Sequence, residues 1–140
     1  PMLADRYGNP AFKFYLHGIP EIPVMDPDNL IKGFEVIAGL PRPGLACVHA
    51  EDHEMCVEGM KRLKSAENPT DLADWMSASP DGAEGKAVRF LAAAAQKTGA
   101  RVYIVHLSSA PGLGAQTTEY VCHAHPARTL RSASATLRFF

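Results

Sequence analysis

Much that would assign these 140 residues to a familiar class is missing from them. Three cysteines, Cys47, Cys56 and Cys122, form an odd set with no Cys-x-x-Cys spacing, which argues against a disulfide framework and leaves reduced thiols. No segment approaches the ~18 consecutive apolar residues of a membrane span. The opening PMLADRYGNP lacks the charged-then-apolar order of a signal peptide. Charge of one sign does not accumulate either: 14 Lys and Arg face 15 Asp and Glu, for a net charge of −1. With those charges mixed along the chain, neither a nucleic acid nor a membrane surface is an expected partner, and a cytoplasmic location is the default. Two catalytic signatures are absent as well. No Gly-x-Gly-x-x-Gly follows a strand-like run, which removes the support for a Rossmann-like or flavodoxin-like domain, and no Gly-x-Ser-x-Gly elbow surrounds Ser108 and Ser109.

What is present is a composition of 46% hydrophobic and 21% charged residues, that of one globular unit or a piece of a larger one. Strand-like and helix-like stretches alternate along it. AFKFYL (11–16) is an apolar run broken only by Lys13, and the prolines of HGIPEIPVMDP enforce a loop after it. A helix is expected from about Asp26, with Pro27 in its first turn, Leu30, Ile31, Phe34, Ile37 and Ala38 on one face, and Gly39 at its end. LACVHA follows as a strand. Asp52 can cap a helix to about Lys64, with Cys56, Met60 and Leu63 on one side. After a short helix around Leu72 to Met76, an alanine-rich helix near 83–98 repeats Val88, Leu91, Ala92 and Ala95 at helical spacing and closes at Gly99, before the strand RVYIVHL.

Strands separated by helices predict a parallel sheet with right-handed crossovers. His49 and His106 then stand at the carboxyl ends of two strands, the edge at which both barrels and open α/β sheets build their sites. Lys13, within its apolar run, is expected at that rim or on the inner side of a barrel, although considered alone it would read as a solvent-facing residue of an edge strand. A lysine buried there needs a partner or must lose its charge. A neutral amine can react with carbon dioxide to give a carbamate, an anionic two-oxygen group able to bridge metal ions that imidazoles also ligate.

FKFYL, VHAED and VYIVHLSSA, in that order, resemble the middle of the cyclic amidohydrolases: dihydropyrimidinase (hydantoinase), allantoinase and dihydroorotase. The segment GIPEIPVMDPDNLIKGFEVIAGL looks most like the allantoinase and hydantoinase branch. The separations of 36 residues from Lys13 to His49 and 57 from His49 to His106 each leave room for a crossover, whose minimum is about a dozen residues. The resemblance implies an α/β fold, a partial (β/α)8 TIM barrel of about three parallel strands. It implies a centre of two divalent metal ions, with zinc the expected ion, held by carbamylated Lys13, His49 and His106. The activity implied is hydrolysis of a small cyclic amide or imide of the hydantoin, dihydropyrimidine or allantoin type by a metal-bridging hydroxide, in a homo-oligomer. The family's His-x-His pair on the first strand and its proton-shuttling aspartate on the last have no counterpart here. No catalytic residue is therefore assigned, and the isolated chain is expected to be an inactive internal piece. A non-catalytic amidohydrolase-like scaffold is the alternative, against which the joint presence of Lys13, His49 and His106 speaks.

The resemblance covers roughly residues 10–113, so residues 1–113 are read as partial barrel and 114–140 as a divergent tail, rich in Ser, Ala, Thr and Arg. Within that tail, His123 and His125 repeat a His-x-His spacing, but in the wrong place for the family's pair; they read as an incidental exposed pair able to pick up adventitious metal. Ser108 and Ser109 are assigned to loop hydrogen bonds. His17 and His53 read as a loop and a helix-start residue, Glu51 and Asp52 as groups that either support a metal ligand from behind or cap the helix, with capping favoured, and Trp75 with the Cys56, Met60, Leu63 stripe as packing. Tyr15 lies too close to Lys13 to match the family's substrate-contacting tyrosine.

Overall fold

A computed structural model describes Arg6, Gly8 and residues 11–18, 21–42, 44–66, 72–115 and 121–123, the last three as backbone. The elements alternate along the chain: β1 (Ala11–Tyr15), α1 (Pro27–Ala38), β2 (Leu45–His49), α2 (His53–Ser65), α3 (Leu72–Ser77), α4 (Asp81–Thr98), β3 (Arg101–Ile104), α5 (Ala110–Gly114) and β4 (Val121–His123). Local chemistry sets most boundaries. Asp26 caps α1 by accepting from the backbone N–H groups of Asp28 and Asn29 at 3.0 and 3.1 Å, and Pro27 fills a first-turn position that has no N–H to satisfy. Asp52 caps α2 through the N–H of Met55 at 3.0 Å. Gly99 ends α4 in the left-handed region (φ 74°), where a side chain would be strained.

The four strands are parallel and lie in chain order, β1-β2-β3-β4. Doubly wound sheets reverse direction at a switch point, whereas a barrel adds each strand beside the previous one. The observed order is the barrel's. One strand more than the expected three is present, because β4 is paired to β3 with Val121 beside Val102 and His123 beside Ile104. The boundary placed at 113/114 falls within α5, and Ala115 just beyond it is buried against the core. His125 lies outside the described residues, as does the side chain of His123.

The described helices cover a single face of the sheet. That face carries Phe12, Phe14, Ala46, Val48, Val102 and Ile104, packed against Leu30, Phe34 and Ile37 of α1 and Val88, Leu91 and Ala95 of α4. Phe14 and Phe34 meet edge to face, with ring centroids 5.8 Å apart. Small residues along α4 let it settle close to the sheet, and burying each large apolar side chain contributes about 1.5–3 kcal/mol. The opposite face carries Ala11, Lys13, Tyr15, Leu45, Cys47, His49, Arg101 and Tyr103, all exposed or half-buried. Trp75, expected to pack, is 61% exposed with Leu72 and Met76: α3 is a short helix without a buried residue and offers no core for the indole to enter. Among the described residues, no helix is long and apolar enough to cross a membrane.

Candidate metal centre

Parallel register places Lys13 beside Cys47 and Tyr15 beside His49. Because side chains alternate along a strand, all four project to the uncovered face. His49 is the last residue of β2, and His106 follows β3 by two residues. The two rings meet there, His49 Nδ1 lying 3.0 Å from His106 Nε2 with ring centroids 4.7 Å apart. The sequence-predicted histidines, 57 residues apart, are thus brought into direct contact.

Lys13 shares that face one step below the rim. Its ammonium lies 4.6 Å from the centre of the Tyr15 ring, a cation–π separation, and the Tyr15 ring in turn lies 5.8 Å from that of His49. Lys13, Tyr15, His49 and His106 therefore form a continuous series across β1, β2 and β3. The lysine is exposed rather than buried, which corrects the expectation drawn from its apolar neighbours. Phe12 and Phe14 point to the helical side, and no described element covers the side that Lys13 occupies. Partial burial still pushes its pKa down from the ordinary value, opposed by the nearby Cys47 thiol. Burial raises the Cys47 pKa in turn, with Lys13 acting against it.

Glu51 takes the less favoured of its two sequence readings. Asp52 alone caps α2, and the Glu51 carboxylate turns back to accept a hydrogen bond from His49 Nε2 at 2.7 Å and another from the Ser79 hydroxyl. The His49 bond, reinforced by Ser79 and opposed by burial, lowers the Glu51 carboxyl to about 2. A carboxylate on Nε2 keeps the proton there and leaves the Nδ1 lone pair free, as a metal-ligating imidazole requires. The chemical clue was available in sequence, since a carboxylate two residues after a strand-end histidine can reach back to it.

A second carboxylate, this one unpredicted, fixes His106. Glu84, on the first turn of α4 and only 8% exposed, accepts from the Ser108 N–H at 3.0 Å, the Ser109 N–H at 2.6 Å and the Ser108 hydroxyl at 3.3 Å. Ser109 itself caps α5 through the Gly112 N–H at 3.0 Å, so both serines do serve the loop. The fit is tight: a Cβ on Gly112 would stand 2.6 Å from Glu84 Oε2. This clamp holds the turn in which His106 takes φ 43°, a left-handed conformation uncommon for a residue with a side chain. Val105, immediately before it, donates its N–H to the Val48 carbonyl at 3.1 Å and ties the turn to β2.

Two nitrogens bound at ~2.0–2.1 Å to one tetrahedral zinc ion stand roughly 3.3 Å apart. The 3.0 Å between His49 Nδ1 and His106 Nε2 is close to that separation, and the carboxylate behind His49 suits the same task, so the residues fit a shared ion. They do not complete a site: among the described residues no group of three or more His, Cys, Asp or Glu side chains converges to hold a metal. His17 and His53 form a separate imidazole contact on the other side of Glu51, Nδ1 to Nδ1 at 3.1 Å.

No family model matches the chain. The allantoinase of Solibacter usitatus is 34% identical to it over 107 residues, covering 75% of this chain and 23% of the relative. The allantoinase of Streptomyces avermitilis is 34% identical over 105 residues, covering 74% of this chain and 22% of the relative. Among solved structures, the L-hydantoinase (dihydropyrimidinase) of Arthrobacter aurescens superposes with a TM-score of 0.70 at 24% identity, over 79% of this chain and 26% of that one. The D-hydantoinase of Bacillus sp. AR9 gives a TM-score of 0.72 at 24% identity, over 81% and 24%. This chain thus spans about a quarter of the length of the proteins it matches. Its sheet is a segment of the TIM barrel of those hydantoinases, and over the matched part of its length the chain belongs to the cyclic amidohydrolase family.

Proposed function

We propose that the chain carries part of the metal centre of a hydrolase acting on a cyclic amide or imide ring of the allantoin, hydantoin or dihydropyrimidine type. The observation that supports this most is the contact of His49 with His106 at the carboxyl ends of adjacent parallel strands, on the face that also bears Lys13. His49 and His106 would ligate one ion through Nδ1 and Nε2. Glu51 holds the proton on His49 Nε2 and so keeps the ligating nitrogen free. Glu84 holds the loop that aims His106. Lys13, once its amine has added to carbon dioxide and lost a proton, would offer a carbamate oxygen to each of two divalent ions, with zinc the expected species. Bound ions would activate water for attack on the ring carbonyl and polarise that carbonyl.

The family resemblance implies a homo-oligomer in which the complete barrel is the working unit, and we expect the 140 residues alone to open no ring. The alternative of a non-catalytic scaffold draws on the exposure of Lys13 and on the lack of a third described ligand. Zinc content after dialysis, together with the intact mass of the chain in bicarbonate, decides between them. The metal reading expects His49→Ala to retain one equivalent of zinc less than the parent, the equivalent held by the His49–His106 pair, and a gain of one carbon dioxide confined to Lys13. Zinc uptake indifferent to both histidines, with no mass gain on Lys13, would leave the scaffold.

A further inference from the structure

We propose that His17 and His53 form a second site for a single divalent cation of the zinc, copper or nickel kind, at the same rim as the His49–His106 pair and with other ligands. The two residues come from different elements, His17 from the loop after β1 and His53 from the first position of α2. Nothing in the spacing of 36 residues foretells their meeting, yet their Nδ1 atoms face each other at 3.1 Å, with ring centroids 5.3 Å apart and planes inclined by 35°.

Two facing ring nitrogens have two ways of avoiding lone-pair repulsion: one holds a proton and donates it, or both donate to a shared cation. The observed separation is near the roughly 3.3 Å of two nitrogens on one tetrahedral ion, and it nearly equals that of the His49–His106 pair. Both rings are half-buried, so they are held by their surroundings while one side stays open. His17 lines a cavity of about 450 Å³ together with Glu51, Cys56, Ser79, Lys61 and Lys64, whereas His53 does not reach it. The cavity gives the His17 side of the pair an entry path and room for waters that would complete the coordination of an ion held by only two protein nitrogens. Imidazole as the sole protein donor selects zinc, copper and nickel over magnesium or calcium, whose ligands are oxygen.

The site needs no part of the hydrolase reading, and it contributes no ligand to it. Its test is a zinc titration of the full chain followed by ¹⁵N correlation of the imidazole rings, which reports each histidine separately and so distinguishes this pair from His49, His106 and the tail histidines. The expected result is a concerted, saturable shift of Nδ1 of His17 and His53, unchanged in the His49→Ala/His106→Ala variant and abolished for both rings by either His17→Gln or His53→Gln. Magnesium should produce no shift. Zinc leaving both Nδ1 resonances in place overturns the proposal, and so does a His53 response that survives His17→Gln, since that is binding by a lone imidazole. The first of these readings needs no variant, and it therefore stands even if a substitution impairs folding.

Discussion

The two faces of one four-stranded sheet have opposite compositions. Alternate residues of β1, β2 and β3 supply Phe12, Phe14, Ala46, Val48, Val102 and Ile104 to the side that α1 and α4 cover. The residues between them supply Lys13, Tyr15, Cys47, His49 and Tyr103 to the open face, the side that no described element covers. On the first face water is excluded and shape decides what is tolerated. On the second, polar groups keep their hydration and are free to be chosen for chemistry. A strand of period two thus lets one short sequence serve stability and reactivity separately. Substitutions on the first face should cost stability, whereas those on the second should cost metal binding and little else.

The largest expected effect belongs to the covered face. Phe34 is completely buried and packs edge-on against Phe14, so Phe34→Ala should destabilise the chain by about 3–5 kcal/mol. Urea unfolding followed by circular dichroism measures this, and a loss below about 1 kcal/mol would show that α1 is not seated on the sheet. Glu84 comes next, and it is the residue that breaks the separation of faces. It is buried on the helical side, yet its hydrogen bonds end on the loop carrying His106. Glu84→Ala leaves two backbone N–H groups without their acceptor and should cost about 2–3 kcal/mol. It should also weaken zinc binding by the His49–His106 pair by about 10–100-fold, the range for groups that orient metal ligands. Glu84→Gln, which retains one acceptor oxygen, should recover part of both. A stability loss with unchanged zinc affinity would make Glu84 purely structural.

These contrasts also explain which features could be read from the sequence. β1, α1, β2, α2, α4 and β3 were legible because each carries a pattern of period two or 3.6, and because Asp26 and Asp52 start α1 and α2 while Gly39 and Gly99 end α1 and α4. The position of Lys13, His49 and His106 on one face followed from alternation and parallel pairing. α5 and β4 were not legible, since five and three residues are too few to display a period. The exposure of Lys13 matched its reading as an edge-strand residue taken alone and not its reading as a buried amine, because flanking phenylalanines report the burial of their own face and say nothing of the other. Glu84 stayed hidden for a related reason. A carboxylate on the first turn of a helix ordinarily reads as a partner for the helix dipole, and its true partners lie 24 and 25 residues away.

On the open face, Glu51 gives a pH-dependent signature. Its carboxyl sits at about 2 in the folded chain against an ordinary 4.5. A depressed folded value means that its stabilisation is fully present above the ordinary value and is lost as the pH falls through the folded one. Glu51→Gln should therefore flatten the stability profile between about pH 4.5 and pH 2 and leave the shape of the neutral region unchanged, as acid titration monitored by circular dichroism would record. At neutral pH the variant should bind zinc more weakly at His49, because a carboxamide holds the Nε2 proton less firmly than a carboxylate. Identical acid profiles for the two proteins would mean that the His49–Glu51 bond does not persist in solution.

The smallest effect on folding, and the sharpest separation of the faces, is expected at Lys13. Its side chain is exposed, its ammonium lies over the Tyr15 ring and near the Cys47 thiol, and no described element packs over it. Lys13→Ala should change stability by no more than about 0.5 kcal/mol, the range of substitutions on an open surface. Lys13→Arg keeps the positive charge over Tyr15 while removing an amine able to add carbon dioxide. Both variants should fold as the parent does, and neither should gain mass in bicarbonate, whereas the parent gains one carbon dioxide at this residue. A destabilisation of several kcal/mol in Lys13→Ala would place the lysine among the groups that hold the fold together, and the open face could then no longer be assigned to chemistry alone.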